Sequence, residues 1–197
     1  MRSGDRRPSR TKVGIALGEL DKFSEKLSVP DAVADEAICL CMRALERGLT
    51  RGRKLAQFIA ASLYTSCRVN GVPTTLDDVT AISRVDRGDI ARCYRLLVRE
   101  LDLEMPVADP AEYVARVAFK ANVSPEVVTD AQEILSKATK AGITAGVYPP
   151  AIAASAIYLA SMLNGQNMTQ DRIAIAAEVQ EATVRKQSKR IRKIIKE

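Results

Sequence analysis

The chain has 197 residues, 47% hydrophobic but only 4% aromatic, with no Trp, no His and a net charge of +6. That length allows one large domain or two small ones with cores of their own, and its small apolar residues, chiefly Ala with Val, Ile and Leu, favour closely packed helices over sheets. Lack of His removes the commonest general base, and no Gly-rich phosphate loop or nucleophile elbow takes its place, so neither an enzyme nor a cofactor-dependent protein is expected.

In chain order, "MRSGDRRPSRTK" sets Arg2, Arg6, Arg7, Arg10 and Lys12 against Asp5, a net +4. It lacks the apolar core of a signal peptide and reads as a flexible basic tail over residues 1–11. Helices are expected near 12–26, 31–47, 54–69, 75–83 and 87–101. The third carries the clearest apolar stripe, Leu55, Phe58, Ile59, Ser62, Leu63 and Cys67, and is expected to be a central core helix. Cys67 on that stripe reads as a small core hydrophobe. Cys39, Cys41, Cys67 and Cys93 include no CxxC pair, so with no His no metal site is expected.

Residues 103–113, "LEMPVADPAEY", read as a connector because Pro106 and Pro110 interrupt helix. Domains over 12–103 and 104–197 are therefore expected. Further helices follow near 110–120, 125–141, 150–163, 169–177 and 181–196. Pro149 and Pro150 suit a first helical turn, Asn-Gly at 70–71 and 164–165 suits a left-handed helix end, and Thr75 and Thr169 suit N-caps. Residues 181–197 hold Arg185, Lys186, Lys189, Arg190, Arg192, Lys193 and Lys196 against Glu181 and Glu197, a net +5 that leaves the middle of the chain at −3. Basic ends on a mildly acidic body suggest a local polyanion contact. No run of about 18 apolar residues suggests a membrane span, and an intracellular, cytoplasmic protein is expected.

Laying "LTRGRKLAQFIAASLYTSCRVNGVPTTLDDVTAISRV" from Leu49 over "ITAGVYPPAIAASAIYLASMLNGQNMTQDRIAIAAEV" from Ile143 aligns the two without a gap, at an offset of 94. Thr50, Gly52, Ala60, Tyr64, Asn70, Gly71, Thr75, Asp77 and Val85 meet the same residue types at 144, 146, 154, 158, 164, 165, 169, 171 and 179. Two copies of one five-helix unit explain a register kept so long, and the fold class is all-α.

At these two stretches the sequence closely resembles the archaeal and eukaryotic general transcription factor B family, its archaeal members most. The resemblance runs from about Lys12 to the C-terminus. It implies two tandem cyclin-like five-helix domains, acting as a monomer, that clamp TATA-binding protein and promoter double-stranded DNA and help recruit RNA polymerase. Such a protein would be nucleoid-associated in a prokaryotic cell. Family members usually begin with a zinc ribbon and a segment that enters the polymerase, and nothing in these residues could form either.

In a helix-turn-helix the second helix lies in the major groove. Val184, Ser188, Ile191 and Ile195 form an inward stripe, with rows Arg185, Lys189, Arg192, Lys196 and Lys186, Arg190, Lys193 beside it. The family uses this helix to read the element upstream of the TATA box. Arg185 matches its base-contacting arginine, whose guanidinium can grip guanine O6 and N7. Thr183 matches a residue suited to phosphate or base, Lys186, Lys189 and Arg190 are expected to neutralise phosphates, and Thr169 and Gln170, which open the preceding helix, are expected to join the upstream-element contact. Ala182 stands where a branched apolar residue usually touches a base, Ser188 where an aromatic is usual, and Glu178 where the turn glycine is usual. Glu178 is expected to keep a negative φ or to carry strain. Gly52, Arg53 and Lys54 match the family's contact downstream of TATA, while Val147 replaces a basic residue in the second copy. Arg84, Arg87 and Arg92 fall where the first copy would face TATA-binding protein. A cyclin-type protein-binding module without DNA reading is the alternative use of the same fold.

Overall fold

The computed structural model describes residues 10–106 and 109–195, and of Ile195 the backbone alone. Among them are ten helices and no strand: α1 (Arg10–Leu27), α2 (Asp31–Glu46), α3 (Leu55–Val69), α4 (Leu76–Ser83), α5 (Arg87–Glu100), α6 (Pro110–Ala121), α7 (Pro125–Lys140), α8 (Pro149–Leu163), α9 (Gln170–Ala176) and α10 (Glu181–Ile195). The chain divides into two compact units, Met1–Val107 and Ala108–Glu197. The expected tail over 1–11 lies outside the described residues except for Arg10 and Thr11, which already belong to α1.

In the first unit α3 is enclosed by α1, α2, α4 and α5. Every residue from Phe58 to Cys67 is buried, a wider surface than the expected stripe. One side, with Phe58, Ala60, Ala61 and Tyr64, packs on Leu40, Val79, Ile90 and Leu97. The opposite side, with Ile59, Leu63 and Cys67, packs on Leu20, Phe23, Val33 and Cys41. Polar side chains survive there because the backbone satisfies them: Thr65 Oγ1 donates to Ala61 O at 2.6 Å and Ser66 Oγ to Val33 O at 2.6 Å. Burial pushes the Cys41 thiol up to about 11 and raises Cys67 as well, which suits thiols used as packing groups.

In the second unit α8 is the centre, touched by α6, α7, α9 and α10. Its Ala151, Ala153, Ala154, Ser155, Ala156 and Ala160 are fully buried small residues, and Ser155 Oγ donates to Ala151 O and to Val184 O. Pro149 opens this helix as expected. Pro110 does the same for α6, capped by Asp109 whose carboxylate accepts from Ala111 N–H at 2.9 Å, so it begins a helix and is not part of the connector.

The offset of 94 is visible in the backbone. Positive φ angles at Ser28, Gly48, Gly52, Gly71 and Arg84 recur at Asn122, Gly142, Gly146, Gly165 and Glu178. Caps recur too. Thr75 and Asp78 form a reciprocal capping box, while Thr169 accepts from Arg172 N–H at 3.2 Å with an arginine where Asp78 stands. Thr75→Ala is expected to cost the first unit about 0.5–2 kcal/mol, measured by urea unfolding, because it orphans a helix donor.

Candidate nucleic-acid interface

The α9–α10 pair is built from the core outward. Ile173, Ala174 and Ala176 of α9, and Val184, Gln187, Ser188 and Ile191 of α10, are buried, which pins α10 to α8. Ser188 Oγ donates to Val184 O at 2.6 Å. It faces inward, so its departure from an aromatic residue alters packing. The fourth residue of the expected stripe, Ile195, has no described side chain.

Everything else on α10 from Glu181 to Lys193 is exposed, apart from the half-buried Thr183. Arg185 sits 3.5 Å from Glu181, a surface pair worth about 0–1 kcal/mol and easily released to another acceptor. Arg190 donates to Gln187 Oε1 one turn back on the same helix at 2.8 Å, and Arg192 reaches Met162 Sδ of α8 at 3.7 Å. Lys186, Lys189 and Lys193 form the outward row, at spacings of three and four that keep them on one face. Ala182 and Thr183 lie in the first turn, and Thr169 and Gln170 start α9. Lys196 falls outside the described residues.

Of the two expected alternatives for Glu178, a negative φ or strain, the bend between α9 and α10 shows the second. The Glu178 φ is +56°, and Val179 N–H closes back on Ala174 O at 3.0 Å as at a glycine-ended helix. A residue with a Cβ carries about 1–2 kcal/mol of strain there. Lys120 Nζ donates to its Oε1 at 2.5 Å and Arg116 Nη2 at 3.3 Å, both from α6. Arg172 adds a second tie, donating to Ala121 O at the end of α6 at 3.1 Å.

In the first unit, residues 51–54 form a turn before α3. Gly52 has φ +71°, so only glycine sits there without strain although a Cβ would meet no atom within 4 Å. Arg53 donates to Leu49 O at 3.1 Å and remains exposed, as does Lys54, the α3 N-cap. At the equivalent second-unit position Val147 is half-buried against the core.

Arg84 is exposed at the left-handed end of α4. Arg87 pairs with Asp77 at 3.0 Å and Arg92 with Asp89, which also accepts from Gln57 at 2.7 Å, so both are engaged within their unit. Arg92 and Arg53, expected at separate contacts, line one cleft of about 630 Å³ with Gln57, Asp89, Cys93, Arg95 and Arg99. Arg95 and Arg99 were not expected as site residues. Their signal was the spacing of 92, 95 and 99 along α5, which recurs at Lys186, Lys189 and Lys193 of α10. The two helices differ beside that row: Asp89 and Ala91 of α5 are replaced by Thr183 and Arg185 in α10.

Two five-helix units of one pattern, the second ending in a helix-turn-helix with a cationic outward face, define a tandem-repeat all-α protein of cyclin-like fold. The family described as Transcription factor TFIIB repeat matches residues 11–100 and again 103–194. The chain belongs to this family. It is 43% identical over 180 residues to a Transcription initiation factor IIB of Pyrobaculum islandicum, covering 91% of this chain and 54% of that protein. Proteins of the same name from Pyrodictium occultum and Saccharolobus shibatae are 43% and 42% identical, over 89% and 92% of this chain and 57% and 59% of their own lengths. The chain thus spans just over half the length of these curated relatives.

Proposed function

We propose that the chain acts in transcription initiation as a non-catalytic promoter-binding core, joining a complex of TATA-binding protein and TATA-box DNA. In this reading α10 enters the major groove upstream of the TATA box. Arg185 grips a guanine, Thr183 and Ala182 lie against neighbouring bases or phosphates, and Lys186, Lys189 and Arg190 neutralise phosphates. The turn at Gly52, Arg53 and Lys54 meets the backbone downstream, and the arginine cleft beside Arg92, with Arg84 and Arg87 nearby in sequence, meets the acidic surface of TATA-binding protein. RNA polymerase would follow as a further partner of the assembled complex.

The observation that carries the reading is the outward face of α10. Its basic row is shared with α5, but α10 has Thr183 and Arg185 where α5 has Asp89 and Ala91, and its one acid up to Lys193, Glu181, pairs with Arg185, which leaves less repulsion of phosphate beside the row and adds a donor for base edges. A cyclin-type module that only binds proteins would have no use for that change.

Mixing the chain with TATA-binding protein on a TATA duplex tests it. A ternary complex that weakens as salt rises is expected, with binding by the chain alone much weaker; no ternary complex at moderate salt would discard the proposal. Arg185→Ala is expected to cost about 1–3 kcal/mol of preference among upstream sequences, read by competition binding, with unspecific affinity barely changed.

A further inference from the structure

We propose that Glu178 is a positioning residue for α10. Held by Arg116 and Lys120, its carboxylate fixes the angle at which α10 leaves the bend, and so which bases its first turn meets. The inference rests on α10 entering DNA as described above.

The backbone gives the first reason. Glu178 holds a left-handed φ of +56° that glycine adopts without penalty, and its carboxylate ties this strained bend to its surroundings. Those surroundings are the two cations of α6, 58 and 62 positions earlier in the chain. Side-chain exposures of 20% for Arg116, 32% for Glu178 and 39% for Lys120 make this cluster less screened by solvent than the Arg185–Glu181 pair, at 54% and 45%.

Geometry gives the second. Only Val179 and Gln180 separate Glu178 from the start of α10. Val184 and Ile191 hold the helix to the core, while Ala182 and Thr183 of the first turn lie ahead of Val184, next to the clamp, and Arg185 directly follows it. About its docked centre near Gln187, a tilt of about 10° moves the start of the helix, about 9 Å away, by about 1.6 Å, more than a hydrogen bond tolerates.

The internal repeat supplies a control. At the offset of 94, Glu178, Arg116 and Lys120 correspond to Arg84, Lys22 and Lys26. Arg84 has the same φ, +56°, yet all three residues are cations, and Lys22 pairs with Glu19 of its own helix at 3.2 Å. The same bend therefore forms without an acid. The acid stands in the copy whose last helix carries Thr183 and Arg185.

The test uses the full chain with TATA-binding protein and a TATA duplex library randomised upstream of the TATA box, beside thermal melting. E178Q and E178G are expected to melt close to the parent while their enrichment of selected over random flanks falls about tenfold, the worth of one misaligned bidentate base contact. The swapped pair K120E/E178K is expected to restore selection. E178Q selecting flanks as strongly as the parent overturns the proposal, as does loss in E178G alone, which would assign the effect to the backbone. Equal loss of binding to all flanks with a lowered melting temperature also overturns it, as a purely structural role. A parent chain that selects no flank defeats the DNA reading itself, a result distinct from the others.

Discussion

Replacing Lys186, Lys189 and Lys193 together with alanine is expected to lower the salt slope of promoter-complex formation by about 2.7 and to weaken the complex about a hundredfold at physiological salt. The three side chains form the exposed row of α10, so each is placed to displace a counterion from a phosphate. Their removal touches no core contact, because the helix is docked through Val184, Gln187, Ser188 and Ile191. Titrations at several salt concentrations check this. An unchanged slope would mean that the row faces no phosphates.

Phe58→Ala is expected to destabilise the first unit by about 3–5 kcal/mol. Phe58 is fully buried and packs with Leu40, Val79, Ile90 and Leu97, ligating three neighbouring helices to α3 through one ring. For a unit of this size the melting temperature should fall by more than about 10 °C in calorimetry. A shift below about 4 °C would mean that the unit repacks around the gap. Since α3 begins directly after the 51–54 turn, the same variant should also loosen that turn.

Helix positions were legible because their signals are local. Pro149, the Asn-Gly pairs and the caps Thr75 and Thr169 act within a turn of where they stand, and the observed ends fall within about two residues of those expected. The inward stripe of α10 was legible through Val184, Ser188 and Ile191, since one face of a helix repeats every three to four residues. The ion pairs that hold Glu178 were not, because Arg116 and Lys120 lie far away in sequence. Nor was the closure of α3, since Thr65 and Ser66 lie outside its expected apolar stripe yet are buried, with the carbonyls of Ala61 and Val33 accepting from them. The meeting of Arg53 with Arg92 in one cleft likewise depends on how α3 packs on α5.

A photo-crosslinking residue placed at Lys186 tests the central claim most directly, in the complex with TATA-binding protein on a TATA duplex. Crosslinks to the DNA strands just upstream of the TATA box, lost when TATA-binding protein is omitted, are the expected result. Crosslinks to protein alone, or to DNA without positional preference, would contradict a recognition role for α10.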